Sequence, residues 1–133
     1  MREEKALVAT EFTVTPDPVA LFCFSAATWN PHRIHYDADY ARTVEGYPDV
    51  LVPGPMLGAW LLELADAWAS AKGLIVADIE YRNIAPAYVD RTFVVGGRQT
   101  VSGTAISLEV FITEAKQTLC LGVVHTEPAE TGR

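Results

Sequence analysis

Four polar side chains that can do acid–base or hydrogen-bonding chemistry lie within the stretch NPHRIH, from Asn30 to His35. A histidine takes up and releases a proton near neutral pH, so His35 is a candidate general base. The amide of Asn30 cannot do so, but it can hold a water molecule by donating to it and accepting from it. His32 and Arg33 add further hydrogen-bond donors. Histidines in a polar loop can also be merely solvated, so these residues alone leave that alternative open.

A glycine between two prolines, in Pro53-Gly54-Pro55, is the second feature with chemical potential. An apolar run follows it at once, so we expect this glycine at the first turn of a helix. The unpaired N–H groups and the dipole of a helix N-terminus favour a negatively charged oxygen, and glycine lets a ligand approach the backbone closely. Gly54 is therefore a candidate oxyanion donor, although a plain turn glycine would give the same pattern.

The longest predicted helix covers residues 55–71 and is apolar on almost every side. Its few polar residues recur at steps of three and four and form one narrow stripe, namely Glu63, Asp66 and Ser70. A helix with so little polar surface is expected to be buried, and Trp60 and Trp68 are expected in the core or at a dimer contact. This helix would place Gly54 at its N-terminal end.

The remaining segments predict strands, because their hydrophobic period is close to two. A first strand at 5–15 and a short helix at 18–28 precede the long helix, and strands at 74–83, 92–101, 104–114 and 117–126 follow it. One five-stranded antiparallel sheet wrapped around the long helix satisfies this α+β order. A sheet of this size cannot cover the helix fully, so we expect at least a dimer.

Bulk properties narrow the class of protein. The chain has 133 residues, which suits one domain, expected at residues 1–127 with a disordered tail at 128–133. Its net charge of −7 argues against nucleic acid and anionic membranes as partners. The N-terminal stretch is charged and no apolar run is long enough to span a bilayer, so we expect a cytoplasmic protein. Cys23 and Cys120 lie in apolar runs and are expected to be buried, reduced thiols.

Three stretches together resemble a known family: FSAATWNPHRIHYD at 24–37, DYARTVEGYP at 39–48 and LVPGPML at 51–57. They are similar to the MaoC-like (R)-specific enoyl-thioester hydratases and dehydratases. Within that family they resemble the branch with the mesaconyl-CoA hydratases and the fungal mitochondrial 3-hydroxyacyl-thioester dehydratases. The resemblance implies a hot-dog fold, a double-hot-dog dimer, and no metal or resident cofactor. It also implies an acyl thioester of coenzyme A or acyl carrier protein as substrate.

The resemblance also assigns roles to residues. The family motif is Asp-x-Asn-Pro-Ile/Leu-His, and counting back from His35 puts Asn30 at the acidic position, where this branch usually has that amide. His35 is thereby implied as the base, Asn30 as the holder of the attacking water, and Gly54 as the N–H donor to the thioester carbonyl. The branch usually has His-Gly-Pro at the helix start, so the glycine is kept here and Pro53 replaces a histidine.

Substrate contacts are implied for four more residues, which are His32, Arg33, Pro53 and Arg82. Arg82 enters because Tyr81-Arg82-Asn83 resembles a Phe-Arg-Ala stretch of the branch, although an exposed strand arginine would look the same. His125, near the end of the last strand, is expected to be structural.

Two other functions stay open beside a hydratase or dehydratase. A hot-dog acyl-CoA thioesterase would normally need a carboxylate near the helix N-terminus, whereas the nearest acids are Asp49, Glu45 and Glu63. A non-catalytic hot-dog subunit completing a heteromeric hydratase is the other alternative, because members of the branch often carry a second hot-dog half that is missing here. The acyl group, the thioester carrier and the direction of reaction stay undetermined by sequence.

Overall fold

The alternating residues after position 73 form four long strands in the computed structural model, which describes residues 4–130. In chain order the elements are β1 Glu4–Leu7, β2 Phe12–Val14, α1 Pro18–Ala27, a 3₁₀ turn at Arg33–His35, α2 Ala38–Thr43, α3 Gly54–Ser70, β3 Leu74–Asn83, β4 Phe93–Ser102, β5 Ala105–Glu114 and β6 Gln117–Pro128. The helices predicted at 18–28 and 55–71 and the four strands predicted after them are present to within two residues at each end. The strand predicted at 5–15 is instead divided into β1 and β2, so the sheet has six strands within residues 4–130 and not the five predicted.

All strands within the described range form one antiparallel sheet with the order β1-β4-β5-β6-β3, and β2 pairs with the other end of β4. Leu7 pairs with Arg98, and Phe12 pairs with Val95. The two short strands therefore follow one another along the same edge of β4. They occupy the position of the single strand predicted at 5–15, and β3 forms the opposite edge of the sheet.

Helix α3 lies against the inner face of this sheet and supplies much of the core. Its buried apolar residues recur at helical spacing and are Leu57, Trp60, Leu61, Leu64, Ala65 and Trp68. The stripe of Glu63, Asp66 and Ser70 is exposed. The sheet contributes fully buried side chains from three of its central strands, among them Phe93, Ile112 and Val124. The predicted α+β arrangement of a sheet wrapped around one long helix is confirmed.

Three expectations are corrected or limited by the structure. Cys23 is exposed, whereas Cys120 is buried and its burial raises the pKa of the thiol to about 11. Strand β6 extends to Pro128, and the N–H of Ala129 donates to the oxygen of Gly73 at 3.0 Å. The first two residues of the tail predicted to be disordered at 128–133 are therefore bonded to the rest of the fold. Residues 131–133 of that tail lie outside the described residues.

No helix in residues 4–130 combines the length and apolar character needed to cross a bilayer.

Candidate active site

The turn that carries His35 is capped by its own preceding residues. The side-chain oxygen of Asn30 accepts a hydrogen bond from the N–H of His32 at 3.2 Å. The Nδ1 atom of His32 accepts one from the N–H of Ile34 at 3.4 Å, and the N–H of His35 donates to the oxygen of His32 at 3.2 Å. Asn30 and His32 therefore shape the backbone that ends at His35.

The main chain of Leu51 holds the ring of His35 in place. The N–H of Leu51 donates to the oxygen of Ile34 at 2.9 Å, and the oxygen of Leu51 lies 2.9 Å from Nδ1 of His35. Because a carbonyl oxygen only accepts hydrogen bonds, Nδ1 carries the proton. The other ring nitrogen, Nε2, is then left with a free lone pair. This is the tautomer that a general base requires.

Burial keeps His35 in its neutral form. Only 9% of the residue is exposed, and this desolvation lowers the pKa of His35 below its usual value of 6.5. The hydrogen bond to Leu51 opposes the shift, while the nearby His32, with ring centroids 5.8 Å apart, adds to it. A neutral imidazole with a free Nε2 is therefore the dominant species at neutral pH, ready to accept a proton.

A short pairing of two extended segments brings the chain to the start of α3. The N–H of Val52 donates to the oxygen of Ala87 at 2.8 Å, and the N–H of Val89 donates to the oxygen of Val50 at 3.0 Å. Pro53 follows as the N-cap residue and is fully buried. This pairing fixes the position of the helix N-terminus relative to the turn at His35, since the same segment contains Leu51.

The Pro-Gly-Pro sequence leaves one free donor in the first turn of α3. The oxygen of Pro53 accepts from the N–H of Met56 at 2.9 Å and from that of Leu57 at 3.3 Å. Pro55 has no N–H at all. Within the described part of the chain, the N–H of Gly54 therefore remains without a partner and carries the positive end of the helix dipole.

His35 and Gly54 line the same cleft, which has a volume of about 320 Å³. Leu57 and Asn83 are among its other lining residues. The structure thus brings together a neutral base and a free backbone donor, which are two of the three residues predicted to be catalytic. A proton acceptor and an oxyanion donor in one cleft can activate water and stabilise an enolate.

Asn30, the third predicted catalytic residue, lies elsewhere. It lines a separate pocket of about 380 Å³ together with Phe22, Trp29 and Tyr36. Asn30 is connected to the cleft only indirectly, because it caps the turn that ends at His35. The role of Asn30 as the holder of the attacking water stays a prediction.

The predicted substrate contacts occupy different surroundings. His32 is exposed beside His35, and Pro53 is the cap of α3. Arg33 pairs with Asp37 at 2.8 Å and stacks on the ring of Tyr40 at 4.3 Å. The hydrogen bond to Asp37 raises the pKa of the Arg33 guanidinium, so this arginine is engaged locally.

Arg82 lies on the outer face of the sheet. It pairs with Leu121, which is 40% exposed, whereas the next residue, Asn83, pairs with the fully buried Cys120. Because alternate strand residues point to opposite faces, Arg82 faces away from α3 and Asn83 faces towards it. Arg82 lines a pocket with Phe111 on that outer face and is outside the cleft of His35.

Asn83 also lines the cleft, and the sequence did not single it out as a candidate. Its Nδ2 atom lies 2.6 Å from the point that a Cβ on Gly54 would occupy. The residue is the last of β3, and only the register between β3 and β6 turns it towards the helix. Residue type and local spacing carry no signal of that placement.

The described residues, 4–130, contain no group of three or more His, Cys, Asp or Glu side chains arranged to hold a metal ion.

A family model described as hydroxyacyl-thioester dehydratase type 2 matches residues 1–89. The chain belongs to this family. Mesaconyl-C(4)-CoA hydratase of Chloroflexus aurantiacus is 46% identical over 76 residues, which are 57% of this chain and 26% of that protein. The mitochondrial hydroxyacyl-thioester dehydratase type 2 of Schizosaccharomyces pombe is 32% identical over 87 residues, which are 65% and 29%. The chain spans less than a third of the length of these curated relatives.

Solved structures show the fold. The (R)-hydratase from A. caviae superposes with a TM-score of 0.79 at 16% identity, covering 94% of each chain. A chain of the ChsH1–ChsH2 complex from Mycobacterium tuberculosis gives 0.79 at 20% identity, covering 92% of this chain and 95% of that one. A MaoC-like dehydratase gives 0.80 at 16% identity, covering 94% and 40%. The hot-dog fold and the family predicted from residues 24–57 are confirmed.

Proposed function

We propose that this chain adds water to, or removes it from, the C2–C3 bond of an enoyl or 3-hydroxyacyl thioester of coenzyme A or acyl carrier protein. The observation that carries the proposal is the single cleft lined by His35, with its free Nε2, and by the free N–H of Gly54. Membership of the hydroxyacyl-thioester dehydratase family supports the same reaction class.

The reaction follows from these two groups. The thioester carbonyl accepts a hydrogen bond from the N–H of Gly54, which polarises the conjugated double bond. Nε2 of His35 takes a proton from water as the oxygen bonds to C3, and the electron pair of the double bond moves to form an enolate. The imidazolium returns its proton to C2 and the carbonyl re-forms. Dehydration is the same sequence reversed, and neither direction needs a resident cofactor because water is the only other reactant.

The roles of the other residues predicted for the site stay predictions. Asn30 stays the predicted holder of the water, although it lines a separate pocket from the cleft of His35. Its Oδ1 accepts from the N–H of His32, so Nδ2 is the atom left for that role. His32 and Pro53 adjoin His35 and Gly54 and stay predicted substrate contacts. Arg33 and Arg82 stay predictions as well, and neither has a contact within the cleft that supports the role.

We infer that a second copy of this chain pairs along the free edge of β3 and completes a double hot-dog. Exposed apolar residues on and beside that edge support the inference, since Ile75 is 47%, Tyr81 39% and Ile84 51% exposed. A different hot-dog subunit is the alternative, because the chain spans less than a third of its relatives and two structural neighbours are chains of complexes. Light scattering of the purified chain distinguishes a dimer from a monomer that needs another subunit.

The cytoplasmic location stays a prediction. The relative from Schizosaccharomyces pombe is a mitochondrial protein by its description.

The test is the loss of enoyl-thioester absorbance when the purified chain is mixed with crotonyl-CoA or mesaconyl-CoA. His35→Ala should reduce the rate by about 10²–10⁴-fold, as expected for losing a general base. His125→Ala is the matched control, because this second histidine is exposed on the outer face and bonded to Asp78. Equal rates for wild type and His35→Ala would refute the assignment of the base, and free thiol without hydration would indicate a thioesterase instead.

A further inference from the structure

We propose that the side-chain amide of Asn83 is a second hydrogen-bond donor to the thioester carbonyl, acting beside the N–H of Gly54. The inference rests on the proposed function and adds a catalytic residue to it. Its starting point is the close approach of Asn83 to the start of α3. Nδ2 lies 2.6 Å, and Cγ 3.8 Å, from the point that a Cβ on Gly54 would occupy. The amide nitrogen, which is the donor end of the side chain, is therefore the part that faces Gly54.

The two donors are close enough to share one oxygen. A Cβ position lies about 2.5 Å from the nitrogen of its own residue, so Nδ2 of Asn83 and the nitrogen of Gly54 are at most about 5 Å apart. Two donors that each lie about 2.9 Å from a common acceptor can be up to about 5.8 Å apart. The separation of the two nitrogens therefore allows one carbonyl oxygen to lie at ordinary hydrogen-bond length from both.

Both donors are unoccupied and both line the cleft. No hydrogen bond within residues 4–130 uses the side chain of Asn83, and none uses the N–H of Gly54. His35 lines the same cleft, so an acceptor held by the pair would be within the space that the base also borders. Free donors beside the base match the requirement for stabilising charge that develops on a carbonyl oxygen during the reaction.

The backbone fixes Asn83 in this position. Its own residue pairs with Cys120, and the N–H of the following Ile84 donates to the oxygen of Leu119 at 2.8 Å. The amide is thus attached to the sheet and the N–H of Gly54 to the helix. The absence of a side chain at Gly54 is what allows the amide to approach, since any Cβ there would meet Nδ2.

The kinetic consequence is a loss in turnover more than in binding. The oxygen carries more negative charge in the enolate-like transition state than in the bound thioester, so a donor to it stabilises the transition state more strongly. Asn83→Ala should reduce kcat by about 10²–10³-fold, the usual effect of losing one oxyanion donor, with a much smaller change in KM. Asn83→Asp keeps the shape but presents an acceptor to the oxyanion, so its kcat should be lower than that of Asn83→Ala.

The experiment compares these two variants with wild type and with Glu80→Gln, which lies on the same strand but on the outer face. A second readout uses infrared spectra of a ¹³C=O-labelled crotonyl thioester bound to His35→Ala, which holds the substrate without rapid turnover. Hydrogen bonding lowers the carbonyl stretching frequency, and adding Asn83→Ala to this background should reverse part of that shift. A purely structural role for Asn83 would leave the stretching frequency unchanged.

Each outcome decides between the two proposals. An inactive wild type overturns the proposed function itself. An active wild type that depends on His35, together with full activity in both Asn83 variants, overturns only the role of Asn83. Reduced activity with an unchanged carbonyl frequency, or higher activity in Asn83→Asp than in Asn83→Ala, also overturns it. Reduced kcat with the expected order of variants and a reversed frequency shift supports it.

Discussion

The contact between Gly58 and Tyr81 allows a sharp test of how α3 packs on β3. Gly58 lies one turn after Gly54 on the same side of the helix, and the ring of Tyr81 covers it. A Cβ added at Gly58 would lie 2.5 Å from Cζ and 2.9 Å from Cε1 of that ring, with the hydroxyl oxygen nearer still. Ordinary contacts of this kind are about 3.4–4 Å, so Gly58→Ala forces the ring to move by about 1 Å.

Gly58→Ala should change the free energy of unfolding in opposite directions in the wild-type and the Tyr81→Ala backgrounds. Overpacking of this kind costs about 1–3 kcal/mol, whereas replacing glycine by alanine within a helix gains about 1 kcal/mol. In the wild-type background Gly58→Ala should therefore reduce the free energy of unfolding by up to about 2 kcal/mol. In the Tyr81→Ala background the clash is absent, and Gly58→Ala should raise the free energy of unfolding by up to about 1 kcal/mol.

Urea unfolding of the four proteins, followed by tryptophan fluorescence, measures this cycle. Trp60 and Trp68 are 7% and 4% exposed and lie on the same helix, so they report its loss of packing. Trp29 is 92% exposed and adds little change. The protein concentration is held constant, because association would change the apparent stability.

The result that would refute the packing argument is a zero interaction energy in the cycle. The expected interaction energy between Gly58→Ala and Tyr81→Ala is about 1–3 kcal/mol, which exceeds the usual error of additivity for distant sites. If Gly58→Ala destabilises equally in both backgrounds, the ring of Tyr81 does not cover the glycine. If it stabilises in both, the ring moves aside without cost.

Four further results are expected. Because burial lowers the pKa of His35 and only its neutral form accepts a proton, kcat/KM should be constant above neutral pH and fall in acid with a midpoint below 6.5; a midpoint above that value would contradict the site. The same shift makes the contribution of His35 to stability decline as pH falls below about 6.5, measurable by urea unfolding. In the native protein a thiol reagent should label Cys23 rapidly and Cys120 only after unfolding, and equal labelling would contradict the burial of Cys120. Asp78→Asn should lower the pKa of His125 in an NMR titration, because the carboxylate hydrogen bond raises it; an unchanged pKa would show that the 2.6 Å contact is not made in solution.

Elements with strong local signals were predictable from sequence. Apolar residues recur at helical spacing over nearly all 17 residues of α3. Helix α1 begins at the expected residue, and the carboxylate of Asp17 accepts a hydrogen bond from the N–H of Ala20 at 2.8 Å. The break between β1 and β2 was not predictable. It is accompanied by a hydrogen bond from the Thr10 hydroxyl to the oxygen of Leu64, a residue far away in sequence. A local pattern of Val and Thr cannot report such a contact.

The residues of the candidate site also differ in how far the sequence indicates them. His35 and Gly54 could be named as candidates from their chemistry and their neighbours in the sequence. Asn83 could not, because its position in the cleft depends on the register of β3 against β6. The expectation for Cys23 was wrong for a related reason. Helix α1 is apolar on nearly all sides, so its sequence does not show which side faces solvent, and Leu21 and Ser25 are its buried residues.

The main-chain oxygen of Leu51 decides which ring nitrogen of His35 carries hydrogen, and this has an evolutionary consequence. A side-chain partner for the base could be lost through many single codon changes. A peptide oxygen is present whatever residue occupies the position. The tautomer therefore depends on the backbone conformation of the loop and not on the side chain at position 51. Among the twenty amino acids only proline at position 51 would also remove the N–H that donates to Ile34. Mutation can therefore vary this side chain to reshape the cleft while the protonation pattern of the base is retained.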